Sequence, residues 1–151
     1  MKIVIASDHG GYEYKQVMIP ELLAAGYDVK DLGAFELQPL DDYPDYAGLV
    51  AAALMSGQAD RGVLICGSGV GVSVAANKYR GVRAGVCHDT YSAHQAVEHD
   101  DVNVLCIGQR VIGIELAREI IYTFLGAIFS NEERHARRLN KVKSIESSNL
   151  K

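Results

Sequence analysis

Short apolar runs alternate along this chain with stretches whose apolar residues recur at helical spacing. Ile3–Ala6 has no polar alternation, the pattern of a strand buried on both faces. Tyr12–Ala25 follows as a helix with Val17, Leu22 and Ala25 in register; Pro20 interrupts it and Gly26 stops it. Tyr27–Asp31 reads as a second, more polar strand, and Ala34–Asp42 as a loop. Tyr43–Met55 is an Ala-rich helix with Pro44 tolerated in its first turn and Gly57 beyond its end. Arg61–Cys66 is a third strand, Gly67–Gly71 a glycine turn and Val72–Lys78 a short helix. Val82–Cys87 (strand), Thr90–Glu98 (helix) and Asn103–Ile107 (strand) complete the alternation. A long helix over Ile112–Ala127 carries Leu116, Ile120, Ile121, Phe124 and Leu125, and Glu132–Ile145 is a last, strongly charged helix.

Strands separated by helices imply right-handed crossovers and a parallel sheet covered on both faces, an α/β fold. In such sheets ligands bind beyond the carboxyl ends of the strands, near a switch in strand order. Function is therefore expected in Ser7–Gly11, Gly67–Gly71, His88–Asp89 and Gly108–Arg110. The 151 residues suit one domain, 1–151, and 48% apolar with 23% charged residues supplies a core. A net charge of −4 excludes a protein that coats nucleic acid by charge alone. The segment 131–151 carries six Lys/Arg against three acids, +3, which leaves −7 on the rest. A basic tail on an acidic body points to a small anionic ligand or a partner subunit. The first apolar run is too short for a secretory h-region, and no run approaches membrane-span length. Three cysteines, an odd number, argue against a disulfide framework and for a reducing, cytoplasmic setting.

Candidate chemistry concentrates in Cys66-Gly67-Ser68-Gly69-Val70-Gly71. A buried strand runs into three alternate glycines and then a helix, so backbone N–H groups can converge on an anion. No Gly-Lys-Ser/Thr follows, which excludes the nucleoside-triphosphate loop. The first βα turn, Ser7-Asp8-His9-Gly10-Gly11, is not a dinucleotide fingerprint, which counts against a nicotinamide oxidoreductase. Each cysteine ends an apolar run. Cys87 and Cys106 read as small buried hydrophobes, whereas Cys66 touches the cradle, where a helix start favours thiolate. His99 ends a helix in Glu98-His99-Asp100-Asp101, as a cap or as an acid–base group. His88, His94 and His99 with nearby acids match no zinc spacing, so no metal is expected. Arg110 follows the fifth strand. Arg134 and Arg138, four apart on one helix face, suit a shared phosphate.

Together these residues resemble the ribose-5-phosphate isomerase B family of sugar-phosphate isomerases. The resemblance rests on Ser7-Asp8-His9-Gly10-Gly11, Asp42-Tyr43-Pro44-Asp45-Tyr46-Ala47, Ile65 to Gly71, Ala75-Ala76-Asn77-Lys78, Tyr91-Ser92-Ala93, His99 to Leu105 and Arg134-His135-Ala136-Arg137-Arg138, spread over nearly the whole chain in order. It implies a three-layer Rossmann-like sandwich with a five-stranded parallel sheet and a C-terminal helix extending towards a partner subunit. It implies a homodimer or homotetramer with active sites at the subunit interface, and interconversion of ribose 5-phosphate and ribulose 5-phosphate without metal or other cofactor. By the same resemblance Cys66 moves a proton between C1 and C2, the amides of Gly67, Ser68, Gly69, Val70 and Gly71 hold the enediolate oxygen, and His99 assists ring opening. Asp8 lies near the sugar hydroxyls, and Asp42 and Tyr43 beside substrate and Cys66. His9, Arg110, Arg134 and Arg138 bind phosphate, the last two from the partner. Asp100 stands where the family has asparagine and Ser68 where threonine is common; Asn131-Glu132-Glu133 stands where relatives carry glycines. These departures bear on the preferred sugar and leave two alternatives: a six-carbon aldose phosphate such as allose 6-phosphate as substrate, or sugar-phosphate binding without turnover.

Overall fold

The computed structural model describes residues 1–150. Five strands and six helices follow in the order β1 (Lys2–Ser7), α1 (Tyr12–Ala24), β2 (Asp28–Asp31), α2 (Tyr43–Met55), β3 (Arg61–Cys66), α3 (Val70–Ala76), β4 (Ala84–Val86), α4 (Thr90–Asp100), β5 (Val104–Gly108), α5 (Ile114–Gly126) and α6 (Glu133–Asn149). All strands pair in parallel, in the order β2-β1-β3-β5-β4. From β1 the chain crosses to β2 on one side, and from β3 it crosses towards β5 and β4 on the other. The switch in strand order therefore falls between β1 and β3, whose carboxyl ends carry Ser7–Gly11 and Gly67–Gly71.

The central strands are apolar throughout because both their faces are covered. On one face Ile3, Ile5, Val63, Ile65, Leu105 and Ile107 pack against α1, α4 and α5. On the other, Val4, Ala6, Leu64, Cys66, Val104 and Cys106 pack against α2 and α3. The period of two along each strand sends alternate residues to opposite layers. This is the expected three-layer sandwich. Among the described residues no helix is long and apolar enough to cross a membrane.

Several element details differ from the sequence expectation. Helix α1 continues through Pro20, which is exposed; the lost backbone bond faces solvent. Its buried stripe runs through Lys15, Met18 and Leu22, and Val17 is turned outward. Lys15 is fully buried because its ammonium meets both carboxylate oxygens of Asp31, at 2.8 and 2.6 Å. Strand β4 is shorter than Val82–Cys87, and α3 begins at Val70, two residues early. Leu116 is part-exposed on α5, whose inner stripe is Ala117, Ile120, Ile121, Phe124 and Leu125.

Candidate active site

Cys66 is the last residue of β3, and the chain must turn there to enter α3. Gly69 makes the turn with φ +79°, a left-handed conformation that L side chains resist. The turn aims the Gly69 amide at Cys66 Sγ, 3.0 Å away. The first turn of any helix has amides with no preceding carbonyl to meet, and Val70 and Gly71 lie in that turn. Val70 donates to Ser68 Oγ at 3.2 Å. Among the described residues no group accepts from the Gly67 and Ser68 amides. The outcome is a thiol at the mouth of a loop with uncommitted N–H donors.

That thiol opens onto a cavity of about 380 Å³ lined by Asp8, Tyr43, Cys66, Gly67, Ser68, Gly71, Arg110 and Val111. The Tyr43 ring lies over Gly71, so close that a Cβ there would fall 3.0 Å from it. Arg110 is held by its amide to the Gly67 carbonyl at 3.1 Å, and its guanidinium covers Gly67. Asp8 is buried beside the loop. Burial pushes its carboxyl above the usual carboxylate range, opposed by a 2.9 Å bond from the Gly10 amide.

His9 stands next to this cavity, held by a residue absent from the sequence expectation. Asp41 Oδ1 accepts from the His9 amide at 3.0 Å and meets Nδ1 at 2.7 Å, while Asp41 Oδ2 accepts from the Tyr46 hydroxyl at 2.9 Å. Burial pushes the Asp41 carboxyl up, but the bonds from His9 and Tyr46 outweigh it and leave it below the usual range. Tyr46 is pushed up to about 12, by burial first and then by Asp41. With Nδ1 fixed on a carboxylate, His9 leaves Nε2 for a ligand. Asp42, the expected neighbour of the substrate, is exposed and is not among the residues lining the cavity. Asp8, His9 and Asp41 each bring a potential metal-ligand atom within 4.8 Å of the others. His9 Nδ1 and Asp41 Oδ1 are already bonded to each other.

The remaining expected residues gather elsewhere. His99 lies in the last turn of α4, its ring stacked on His135 with centroids 4.0 Å apart, and Gln95 Nε2 lies 3.1 Å from its Nδ1. His135 is buried; Ser130 Oγ is 2.6 Å from its Nδ1. Burial, then the neighbouring His99 and Arg134, lower its proton affinity. Asp100 follows His99 and is exposed. Arg134 and Arg138 are exposed in the first turns of α6, Arg134 bonded to Glu132 at 2.9 Å. This second group lies at the opposite edge of the sheet. Val104, which follows α4, pairs with Gly62, whereas Cys66 pairs with Gly108. Four strand residues separate the two levels, roughly 13 Å. Moreover, α4 packs on the face of the sheet opposite to that of the Cys66 thiol. One chain thus brings together Cys66, Asp8, Tyr43, the glycine loop and Arg110, with His9 beside them. It separately brings together His99, Asp100, Arg134 and Arg138.

Residues 3–142 match the family model described as Ribose/Galactose Isomerase. The chain is 43% identical over 145 residues to ribose-5-phosphate isomerase B of Escherichia coli, covering 96% of each. It is 38% identical to D-erythrulose-4-phosphate isomerase 2 of Mycolicibacterium smegmatis, covering 98% of this chain and 99% of the relative. The structure of Clostridium thermocellum ribose-5-phosphate isomerase B superposes with a TM-score of 0.94 at 47% identity, covering 98% of this chain and 99% of that one. A match of this extent settles membership: the chain belongs to the ribose/galactose isomerase family and is a sugar-phosphate isomerase.

Proposed function

We propose that the reaction is the interconversion of ribose 5-phosphate and ribulose 5-phosphate, with Cys66 as the base. The observation that carries this is the Cys66 thiol, in contact with the Gly69 amide and facing a cavity that also holds Asp8, Tyr43 and Arg110. An aldose–ketose shift removes the proton on C2 of the open-chain aldose, and negative charge moves onto the carbonyl oxygen. Cys66 as thiolate takes that proton. The amides of Gly67, Ser68 and Gly71 face the oxygen, each preorganised donor contributing about 3–4 kcal/mol to lowering the barrier. The thiol then returns that proton to C1 while the hydroxyl proton on O2 passes to O1, so the carbonyl forms at C2 and the ketose results with no net redox change. His9 and Arg110 hold the phosphate away from the reacting carbons and keep the sugar in register.

His99, as the acid–base group for ring opening, and Asp100, Arg134 and Arg138 reach this cavity from a second copy of the chain. Two features support that arrangement. The two groups of residues lie too far apart to share a substrate within one chain. Val70 and Val74 also form an exposed apolar face on α3, beside the cavity.

The test is a coupled isomerisation assay with ribose 5-phosphate in the presence of a chelator. Turnover is expected to persist, and Cys66→Ala to reduce kcat by about a thousandfold while leaving inorganic phosphate binding within about twofold. Unchanged activity of Cys66→Ala overturns the base assignment. Allose 6-phosphate and D-erythrulose 4-phosphate belong in the same assay, because Asp100 alters the contacts offered to sugar hydroxyls. A higher kcat/KM on either one overturns the choice of ribose 5-phosphate, and binding with no turnover of any of them overturns the reaction.

A further inference from the structure

We propose that His88 is a positioning residue for the amide loop under Cys66, acting as the missing end of strand β4. The inference rests on the reading that this loop stabilises the reacting oxygen. Strand β4 pairs with β5 only as far as Val86 opposite Cys106, and the Cys87 amide adds one longer bond of 3.3 Å to the Cys106 carbonyl. The chain then turns away at His88 and Asp89 into α4. The next donor along β5 is the buried Gly108 amide, which no longer has a strand carbonyl beside it. A buried amide left without an acceptor is costly. The His88 side chain supplies the acceptor, with Nε2 2.9 Å from the Gly108 nitrogen.

The peptide that His88 holds is the one on which the loop rests. A Cβ on Gly108 would fall 2.6 Å from the Ser68 carbonyl carbon, and one on Gly69 would fall 3.1 Å from the Gly108 nitrogen. Just beyond, the Gln109 amide donates to the Cys66 carbonyl at 2.9 Å and the Arg110 amide to the Gly67 carbonyl at 3.1 Å. The contacts run without a gap from the His88 ring to Gly108, to Ser68 and Gly69, and through the Gly69 amide to the Cys66 sulfur.

Nε2 accepts only when the ring is neutral and its proton sits on Nδ1. Burial lowers the proton affinity of His88, and Asp89 works in the opposite direction. The Asp89 carboxylate is itself engaged in capping α4, accepting from the Ser92 amide at 2.7 Å. The thiols of Cys87, just past the end of β4, and of Cys106, in the middle of β5, are pushed up by burial and stay neutral. A proton on Nε2 would set donor against donor and release Gly108. Because the folded value lies below the ordinary one, the neutral, accepting ring predominates at neutral pH. The hold is lost as pH falls through that lowered value, below about 6.5.

His88→Gln places an acceptor oxygen where Nε2 stands and cannot titrate; His88→Ala removes the acceptor. Two readouts apply. Backbone amide NMR of the substrate-free protein follows Gly69 and Gly108 over about pH 5 to 8, the range of histidine titration. Both resonances are expected to move with the His88 ring in the wild type and to stay still in His88→Gln. Steady-state kinetics with ribose 5-phosphate gives the second. His88→Ala is expected to lower kcat at least about tenfold with KM within about twofold, the mark of a transition-state contact. His88→Gln is expected to restore kcat to within about threefold and to keep it at acid pH where the wild type declines. The proposal is overturned if the amides ignore the ring, if His88→Ala turns over like the wild type, or if His88→Gln keeps the wild-type acid limb. Amides that follow the ring in a protein that turns over no sugar phosphate would uphold the coupling and remove the isomerase reading instead.

Discussion

Asp41 shows how much of the site one carboxylate can organise. It binds the His9 amide and ring and the Tyr46 hydroxyl together, so it fixes the histidine's tautomer and direction. Asp41→Asn keeps the shape and loses the charge. KM for a phosphorylated sugar is expected to rise about tenfold, kcat changing less, because His9 loses its orientation and not the reacting atoms. Stability gives a second readout. The folded Asp41 carboxyl titrates below its unfolded value of about 3.9. The stabilisation it contributes is complete above that value and is lost as pH falls through the folded one. Thermal unfolding should therefore show a gap between wild type and Asp41→Asn at pH 7 that narrows on acidification below about pH 4. A gap that stays constant there would remove the linkage. Sequence pattern pointed to Cys66 because a strand end followed by alternate glycines is a local signal. It named Asp42 by resemblance and gave no signal for its neighbour Asp41, which lies in a loop without periodicity. What marks Asp41 is its contact with His9, 32 residues away along the chain.

At the scale of elements, all eleven were legible, since each carries its own hydrophobic period or its own apolar run. What sequence left open were ends and faces, which tertiary contacts decide. Lys15 is an example: helical spacing gives no reason to bury a lysine, and only Asp31 on the adjacent β2 does. The early start of α3 is another, for it follows from Gly69. Gly69→Ala is expected to cost about 1–3 kcal/mol in denaturant unfolding, from the left-handed φ and from a Cβ 3.0 Å from the Ile107 carbonyl carbon. It should also lower kcat about tenfold or more, because the same turn aims the amide at Cys66. Gly81→Ala is the control. Its φ is +80° but open space surrounds its Cβ position. It should lose stability and leave kcat unchanged; equal kcat losses in both variants would separate Cys66 from the geometry of its loop.

At the scale of the whole molecule, the division of chemistry-bearing residues between two sheet edges decides what the active unit is. Sequence placed His99, Arg134 and Arg138 correctly on their helices, but distance along a chain says nothing of distance across a sheet. Parallel strands make the separation strict: α4 must run back to the start of β5, which carries His99 away from the carboxyl edge where Cys66 sits. If a second copy closes the cavity, Cys66→Ala and His99→Ala damage different halves of each site. In a two-fold dimer with one chain of each kind, one site holds both lesions and the other holds neither. Co-expressing the two variants in equal amounts should yield mixed dimers in about half of all cases, and so about a quarter of wild-type specific activity, well above either variant alone. The double variant Cys66→Ala/His99→Ala mixed with wild type is the complementary arrangement: every site of a mixed dimer then carries one lesion, and activity should fall below simple dilution. Activity in the first mixture no greater than the average of the two parents would mean that the two groups of residues never meet across subunits.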